Sequence, residues 1–425
     1  MNFVQKICAA AVLGWSAFGF TPAQSTELTM YYPVAVGGPL TNVMDDFVKR
    51  FEKENPDIKI NAVYSGNYFE TMTKVMTVVK GGQPPQLSVL LSTDVFTLLE
   101  EDAIVPFDDI SGEDSKDWFD KFYPAFMANG NIDGKTWSIP FQRSTIVLYY
   151  NKDAFREVGL DPEQPPKTWD EMTEYAQKLV KKDNSGNVTR WGVKIPSTFG
   201  YWMLQALAIE NDHELMNKNG NEVYFNDNKT VEALNYWLDL SKTYNASPKG
   251  NIEWGTLRSD FLEQNTAMMW HTTGNLTAVK EGAKFDFGVA MLPEKVRRGS
   301  PTGGGNFYVF KKASPEQQAA AVKFIKWMTT PERAAEWSMK SGYVATRPDA
   351  YDTKELKAYS EEFPVTLVAR DQLAYAVPEL SVYENGRIYK IINDAIQAVL
   401  TGNQSGKDGL DKAQSQAERI LKPYK

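Results

Sequence analysis

The chain has 425 residues, more than the roughly 250 to 300 at which a single hydrophobic core stops growing, so its length predicts two domains. Hydrophobic residues make up 42% of the sequence and charged residues 24%, which is typical of a globular protein. The formal net charge of -8 and the lack of any long lysine and arginine run argue against nucleic acid as a partner, because phosphate binding needs a concentrated basic face.

The first 24 residues have the pattern of a cleavable secretory signal peptide. Lys6 precedes an apolar segment at 7–20, and small residues at 21–23 predict cleavage near position 24. A membrane anchor, the alternative, is disfavoured because about 14 apolar residues are short for a span. Cys8 leaves with this segment, so the exported chain has no disulfide, thiolate nucleophile or cysteine metal site. We therefore expect a periplasmic protein.

After the signal peptide, predicted strands and helices alternate. Apolar residues recur at helical spacing across 39–54 and alternate across 58–64. A strand–helix–strand unit predicts a parallel sheet with helices on its faces, and ligands bind beyond the carboxyl ends of such strands. The loops in that position are 33–38, 65–68 and 92–94. The predicted elements of this region are strands at 28–32, 58–64 and 86–91 and helices at 39–54, 69–80 and 94–101.

The stretch 137–155 is interpreted as a crossing between the two domains. Its middle, 145–150, is a nearly continuous run of β-branched and aromatic residues, which predicts a buried strand. A polar cluster at the start of a buried strand is either satisfied by neighbours or offered to a ligand, so we expect these residues to face a cleft. The cluster consists of Gln142, Arg143, Ser144 and Thr145.

A second crossing is predicted at the glycine-rich segment 301–306, which precedes a strand at 307–310. If the chain returns there to the first domain, both domains are discontinuous. Thr168 and Glu171 form a capping box that predicts a helix start between the crossings. The other predicted elements are strands at 267–270 and 285–292 and helices at 230–244, 315–329, 331–339, 388–400 and 407–420.

Sequence signatures of catalysis are mostly missing. His213 and His271 have no metal-ligand spacing around them, and neither a nucleophile elbow nor a phosphate-binding loop occurs. We interpret His271 as a hydrogen-bonded residue at a helix start. Paired carboxylates could be assembled from the 54 acidic residues, so a secreted carbohydrate-active hydrolase or lyase remains an open alternative.

Aromatic residues on predicted loops indicate a binding function. Tyr68, Trp270 and Tyr343 each lie beside residues with hydroxyl or amide groups. Such a combination suits a polyol or a sugar, whose C–H faces stack on rings and whose hydroxyls need many partners. The glycines at 303–305 either present backbone N–H groups to an anion or form a flexible hinge.

Several motifs resemble the extracellular solute-binding proteins of bacterial ABC sugar importers. The run Val-Leu-Tyr-Tyr-Asn-Lys-Asp-Ala-Phe at 147–155 is followed by Gly-Leu-Asp-Pro at 159–162 and Pro-Pro-Lys-Thr-Trp at 165–169. The resemblance extends over essentially the whole mature chain. Gly-Asn-Tyr at 66–68 is most similar to the branch of the family that binds sn-glycerol 3-phosphate.

Carried over residue by residue, the resemblance implies a ligand site with no catalytic residue, cofactor or metal. Ser92 stands where the family has an acidic residue, and Tyr389 stands where it has a phosphate-binding arginine. Because tyrosine cannot bind phosphate bidentately, the predicted replacement cation is Arg143 or the pair Arg387 and Lys390 beside Tyr389. Trp270 is predicted to cover the ligand. The positions that match the family or keep its hydroxyl are Tyr68, Ser144, Thr272, Gly304 and Tyr343.

The resemblance implies a class II periplasmic-binding-protein fold. In this α/β fold, two discontinuous lobes, each a mainly parallel sheet flanked by helices, close by a hinge over an interdomain cleft. The implied function is capture of a glycerol-3-phosphate-like, glycerophosphodiester or sugar ligand by a monomer, which delivers it to ABC permease subunits. An exported sensor module on the same fold is a further alternative. The expected boundaries are 25–141 with 304–340 for the N-terminal lobe, 145–301 with 343–425 for the C-terminal lobe, and 142–144, 302–303 and 341–342 for the crossings.

Overall fold

A computed structural model describes residues 25–425, and the predicted signal peptide at 1–24 lies outside the described residues. The described chain has a mixed α/β architecture around a curled sheet, as predicted. Its strands are β1 Thr26–Tyr32, β2 Ile58–Tyr64, β3 Leu87–Leu91, β4 Asn131–Ile132, β5 Lys135–Thr136, β6 Ile139–Asn151, β7 Lys181–Lys182, β8 Val188–Lys194, β9 Thr266–Thr272, β10 Phe287–Ala290, β11 Ser300–Val309 and β12 Ala376–Val377.

The α-helices cover the faces of the sheet. Within residues 25–425, none of them combines the length and the hydrophobicity needed to cross a bilayer. They are α1 Leu40–Glu54, α2 Tyr68–Lys80, α3 Val95–Glu100, α4 Phe107–Ile110, α5 Ser115–Phe119, α6 Pro124–Met127, α7 Lys152–Glu157, α8 Trp169–Leu179, α9 Gly200–Glu210, α10 Asn228–Lys242, α11 Trp254–Leu262, α12 Leu276–Gly282, α13 Pro315–Met328, α14 Pro331–Ser341, α15 Lys354–Glu362, α16 Leu367–Gln372, α17 Asn385–Leu400 and α18 Gly406–Leu421.

Strand β6 is the longest in the sheet and connects its two halves. All 13 of its residues are buried. Its first half pairs with β11, where Thr145 lies opposite Thr302, and its second half pairs with β9 and β10, where Leu148 lies opposite Trp270 and Ala290. The strand order is β2-β1-β3-β11-β6-β9-β8-β7, so β1 to β3 lie on one side of β6 and β7 to β9 on the other.

Parallel and antiparallel pairs are both present in this sheet. β1 runs parallel to β2 and β3, as the strand–helix alternation predicts, and β8 also runs parallel to β9. β6 and β11 run antiparallel to each other, β11 runs antiparallel to β3, and β6 runs antiparallel to β9 and β10. The two strands at the centre therefore carry the chain between the two groups of parallel strands.

Each half of the sheet has its own hydrophobic core. In the first, α13 packs on β1 and α1 packs on β2, and the rings of Phe51 and Phe324 meet edge to face with centroids 5.0 Å apart. In the second, α9 packs against α10 and α17, and every residue of α9 is buried. A helix that is buried on every side lies in the middle of a lobe, and α9 also buries the polar side chains of Gln205 and Glu210 there.

Two predicted boundaries are corrected by the structure. β11 begins at Ser300 and not at residue 307, so the glycine-rich segment is itself strand. β9 continues to Thr272, which places His271 inside a strand and not at a helix start. Both extensions arise from pairing with β6, a long-range contact that offsets the weak strand propensity of glycine.

Candidate functional site

A small cavity lies where the two halves of the molecule meet. It encloses about 30 Å³, and five of the nine predicted site residues line it. These five are Tyr68, Ser144, Thr272, Gly304 and Tyr343. The other lining residues are Ala35, Val36, Leu91, Phe199, Trp202, Trp254 and Glu379.

A capping box holds Tyr68 at the first position of α2. The Asn67 side chain accepts a hydrogen bond from the Glu70 amide at 3.0 Å, and the Glu70 carboxylate accepts one from the Asn67 amide at 2.8 Å. These reciprocal bonds fix the start of the helix and therefore the direction of the buried Tyr68 ring. The Tyr68 hydroxyl donates to Gln142 Oε1 at 2.8 Å and lies 3.4 Å from the Tyr343 hydroxyl.

The alternation of β6 separates its polar residues onto two faces. Gln142 reaches Tyr68 and Ser144 lines the cavity, so even-numbered residues face the site. The Arg143 guanidinium instead donates to Gly304 O at 2.8 Å and to Thr302 Oγ1 at 3.0 Å. The Arg143 side chain is therefore used to hold β6 and β11 together.

The glycines of β11 allow the chain to pass close to aromatic rings and to β6. A Cβ on Gly303 would lie 2.3 Å from Cζ2 of Trp202, whose indole N–H donates to Thr302 O at 2.9 Å. Gly304 has φ +96°. The run at 303–305 is paired with β6, with a register irregularity directly after it, so it is part of strand β11 and does not form a separate anion-binding loop.

Three cavity-lining aromatic residues were not predicted from the sequence. Phe199, Trp202 and Trp254 pack on one another with centroid separations of 5.0 to 6.2 Å. The Trp254 indole also donates to Ala35 O, from the loop after β1, at 3.4 Å. The dense Phe-Gly-Tyr-Trp run at 199–202 is the one local signal that could have indicated this aromatic wall.

Glu379 is the buried acidic residue of the cavity wall, and it was also missed. Its side chain is 1% exposed, and Oε1 accepts a hydrogen bond from the Tyr201 hydroxyl at 2.8 Å. Within residues 25–425, Oε2 has no hydrogen-bond partner. Burial raises the pKa of this carboxyl to about 8, and the nearby Arg143 charge opposes the rise.

Two predicted contacts, Arg143 and Trp270, do not line the cavity. Arg143 is fully buried over the Phe126 ring, and burial lowers its pKa to about 10. Trp270 is fully buried in the apolar core beside Leu148. The predictions that Arg143 meets an anion and that Trp270 covers a ligand are therefore corrected, since packing on β6 and β9 uses both side chains.

The two positions that depart from the family pattern also lie outside the cavity lining. Ser92 is buried in the turn after β3, where Asp94 accepts from the Leu91 amide at 3.1 Å. Tyr389 stacks on Tyr201 with centroids 3.7 Å apart, and its hydroxyl donates to a backbone carbonyl. Tyr389 therefore supports the tyrosine that holds Glu379 and does not reach the cavity itself.

Replacing Arg143 with methionine is expected to lower the free energy of unfolding by about 2 kcal/mol, because Gly304 O and Thr302 Oγ1 lose their buried donor. Urea denaturation measures the change. The control is Arg419→Met, since Arg419 is exposed and should change stability by less than about 0.5 kcal/mol. Equal stability of wild type and Arg143→Met would show that the guanidinium does not hold the two strands.

Comparison with known proteins identifies the family. The profile of the bacterial extracellular solute-binding protein family matches residues 46–364, about three quarters of the chain. The chain belongs to this family. The resemblance stated from its sequence motifs is thereby confirmed, and the members it matches are binding proteins.

Family members over the whole length include the sn-glycerol-3-phosphate-binding periplasmic protein UgpB. The UgpB of Shigella dysenteriae serotype 1 (strain Sd197) is 28% identical over 439 residues, which cover 100% of this chain and 99% of the relative. That of Escherichia coli (strain K12) is 28% identical over 444 residues, with the same coverage.

Solved structures of the family confirm the two-lobed fold. UgpB from Mycobacterium tuberculosis in complex with glycerophosphocholine has a TM-score of 0.84 and 22% identity, covering 94% of this chain and 99% of that one. MalE from Bdellovibrio bacteriovorus bound to maltotriose has a TM-score of 0.80 and 20% identity, covering 93% and 100%. The likeness extends to the whole described architecture.

Proposed function

We propose that this protein is the solute-binding component of an ABC importer. It captures a glycerol-3-phosphate-like, glycerophosphodiester or sugar ligand between its lobes and delivers it to membrane permease subunits. The observation that carries the proposal is that Tyr68 and Gly304 from one side of β6, and Thr272 and Trp254 from the other, line a single cavity. The proposed lobes are 25–141 with 304–340 and 145–301 with 343–425, and the crossings at 142–144, 302–303 and 341–342 form the hinge.

Closure of the lobes would bury the ligand. The cavity of about 30 Å³ accommodates only one or two water molecules, so a polyol phosphate can enter only after the lobes separate. Three contacts close the mouth: Trp254 donates to Ala35 O, the Phe69 and Phe199 rings pack at 5.6 Å, and the Gly37 amide donates to Asn275 Oδ1 at 3.1 Å. These contacts at the mouth are few and partly exposed, which supports reversible separation of the lobes.

The cavity wall suits a small hydroxylated ligand. The rings of Phe199, Trp202 and Trp254 offer surfaces for C–H groups, and the hydroxyls of Ser144 and Tyr343 offer hydrogen bonds. Glu379 is the one carboxyl among the described lining residues, whereas a typical glycosidase needs two. This difference favours binding over hydrolysis, and turnover of the ligand would contradict it.

The proposed location is the periplasm, to which the protein is exported with cleavage of the signal peptide at 1–24. We also propose that the protein acts as a monomer and without a cofactor. Within residues 25–425 no group of three His, Cys, Asp or Glu side chains is arranged to hold a metal ion. An exported sensor on the same fold would bind the same solute, so pull-down of a permease or a receptor by the ligand-loaded protein separates these two roles.

Calorimetric titration of the exported protein tests the binding function, after unfolding and refolding to remove carried ligand. We expect a Kd of about 1 μM or tighter, roughly -8 kcal/mol, for sn-glycerol 3-phosphate or glycerophosphocholine. Tyr343→Phe should weaken that binding about fivefold to tenfold because the hydroxyl beside Tyr68 is lost.

Tyr375→Phe is the matched control, because Tyr375 is 46% exposed and does not line the cavity. Its affinity should equal that of wild type. No binding of either phosphate ligand or of maltotriose at millimolar concentration would contradict the proposed function. Equal affinities of wild type and Tyr343→Phe would remove Tyr343 from the site.

A further inference from the structure

The carboxyl of Glu379 is held firmly in place by the fold, yet one of its oxygens has no donor. Asn129 binds the Glu379 backbone on both sides, donating to its carbonyl at 2.8 Å and accepting from its amide at 3.1 Å. The Tyr201 hydroxyl fixes Oε1, and Tyr389 stacks behind Tyr201. Oε2 remains unpaired although the residue is buried and lines the cavity. A buried acceptor without a donor is unfavourable, so a ligand donor would satisfy it.

The inner cavity offers no free cation to an anionic ligand. The charge of the Arg143 guanidinium acts on Glu379. Its Nη atoms, however, donate to Gly304 O and Thr302 Oγ1. Among the described residues, no ion pair joins Arg143 to Glu379. The Asp94 carboxyl also acts on Glu379 and opposes negative charge there. The other titratable groups that act on it are the hydroxyls of Tyr68, Tyr201, Tyr308 and Tyr389, and the Tyr343 hydroxyl also lines the cavity. A phosphate inserted against Glu379 would therefore find no cation among the cavity-lining residues to balance its charge.

A cation is available instead at the mouth of the cleft. Arg258, on α11, lines a wider space beside the cavity, and the two spaces share the lining residues Val36, Tyr68 and Trp254. Its guanidinium lies over Gly37, where a Cβ would be 1.8 Å from Nη1, and donates one hydrogen bond, to Asn275 Oδ1 at 3.1 Å. Within residues 25–425 it forms no ion pair, so most of its five donors stay free for a phosphate.

We infer that the cleft binds its ligand in one orientation, with a hydroxyl-bearing end inserted against Glu379 Oε2 and a phosphate held at the mouth by Arg258. This inference rests on the proposed function and narrows the ligand class to polyol phosphates and their phosphodiesters. A ligand hydroxyl forms the missing hydrogen bond with Oε2, while its carbon chain packs on Trp202 and Trp254. The phosphodiester substituent then points out of the cleft toward solvent, which allows head groups of different size.

The first test uses wild-type protein and two phosphate ligands. Propyl phosphate has the carbon chain and phosphate of sn-glycerol 3-phosphate without its two hydroxyls. Calorimetry should show propyl phosphate binding at least about tenfold more weakly, because Oε2 then stays unpaired. In Glu379→Leu the two ligands should bind with similar affinity. In Glu379→Gln, which keeps an amide oxygen at the same place, most of the preference for the hydroxylated ligand should return.

The second test addresses the mouth. Arg258→Gln should weaken sn-glycerol 3-phosphate and glycerophosphocholine about tenfold or more and make their binding less sensitive to salt. Maltotriose, where wild type binds it, should keep its affinity. The control is Arg419→Gln, which also removes one positive charge but at an exposed position on α18, and it should leave all affinities unchanged.

Three results would overturn the inferred orientation while leaving the binding function in place. They are equal affinity of wild type for the two phosphates, equal weakening of neutral and phosphate ligands by Arg258→Gln, and competition by choline that is lost in Glu379→Leu. Equal weakening of neutral and phosphate ligands would mean that Arg258 acts in lobe closure. Competition by choline that depends on Glu379 would mean that a cationic end of the ligand lies inside the cavity. Failure of wild type to bind any ligand would instead contradict the proposed function itself, before any variant is measured.

Discussion

Replacing Gly304 with alanine is expected to lower the free energy of unfolding by about 4 kcal/mol. A Cβ at this position would lie 1.8 Å from Gln142 O, a backbone atom of β6 that cannot turn away as a flexible side chain could. The φ of +96° adds strain of about 1–3 kcal/mol for any L residue with a Cβ. The clash pushes apart the two strands that pair at the centre of the sheet, so both stability and the cavity wall are affected.

Denaturation in urea measures this change, and the control is Gly255→Ala. Gly255 lies in the first turn of α11, and a Cβ added there would have no heavy atom within 4 Å, so alanine should be neutral or slightly stabilising. A Gly304→Ala protein with the wild-type midpoint would mean that β6 and β11 are farther apart than the structure places them. Weak binding in a variant of normal stability would instead confine the effect to the cavity.

The strand–helix alternation of the first lobe could be predicted because each element carries a strong local pattern. The helix across 39–54 has apolar residues on one face, and α1 buries that face on the sheet. In the structure Asn67 and Glu70 form a capping box at the start of α2, and Tyr68 follows Asn67 directly. At Thr168 only half of the predicted box forms, because the Glu171 carboxylate accepts from the Lys167 amide instead.

Helix α9 shows why local patterns fail in the second lobe. All of its residues are buried, so polar and apolar residues do not alternate around it and no helical periodicity appears. The cavity residues Phe199 and Trp202 belong to this region and were missed with it. Burial on every side depends on tertiary packing that no window of the sequence contains.

The site residues were predicted best where a motif fixes the backbone direction. Ser144 lines the cavity and Arg143 does not, since neighbours on a strand point to opposite faces. Both residues were predicted to contact the ligand, because the sequence does not show which of them faces the cavity. That depends on how β6 pairs with β9 and β11. Glu379 follows the short strand β12, outside any helix or longer strand, so only the folded chain brings it to the cavity.

Glu379→Gln is expected to make the protein more stable than wild type at pH 8 and equally stable near pH 4.5. Burial raises the pKa of this carboxyl to about 8, whereas in the unfolded chain it is about 4.3. Between these values the unfolded chain releases the proton and the folded chain retains it, so wild-type stability falls as pH rises. Glutamine carries no proton to lose, so the variant should gain on the order of 2–4 kcal/mol over wild type by pH 8.

The difference between the two proteins isolates this one group. Burial raises the pKa of Asp94 to about 7, so this group also lowers the free energy of unfolding as pH rises. Burial lowers the pKa of His271 to about 4, so the stability that its neutral form contributes is lost as pH decreases below about 6.5. Both groups are present in both proteins, so most of their effect cancels in the difference, and what remains comes from the interaction of Asp94 with Glu379. Glu253→Gln, which removes an exposed carboxyl at the mouth, is the matched control.

Urea midpoints at half-unit steps from pH 4.5 to 8 would measure the two stability curves. Curves that diverge as pH rises would show that Glu379 is neutral in the closed protein at neutral pH. A neutral carboxyl both donates and accepts, so it can exchange two hydrogen bonds with one ligand hydroxyl, whereas a carboxylate can only accept. Parallel curves would mean that the group is ionised when folded, and the cavity would then favour a cationic ligand end over a hydroxyl.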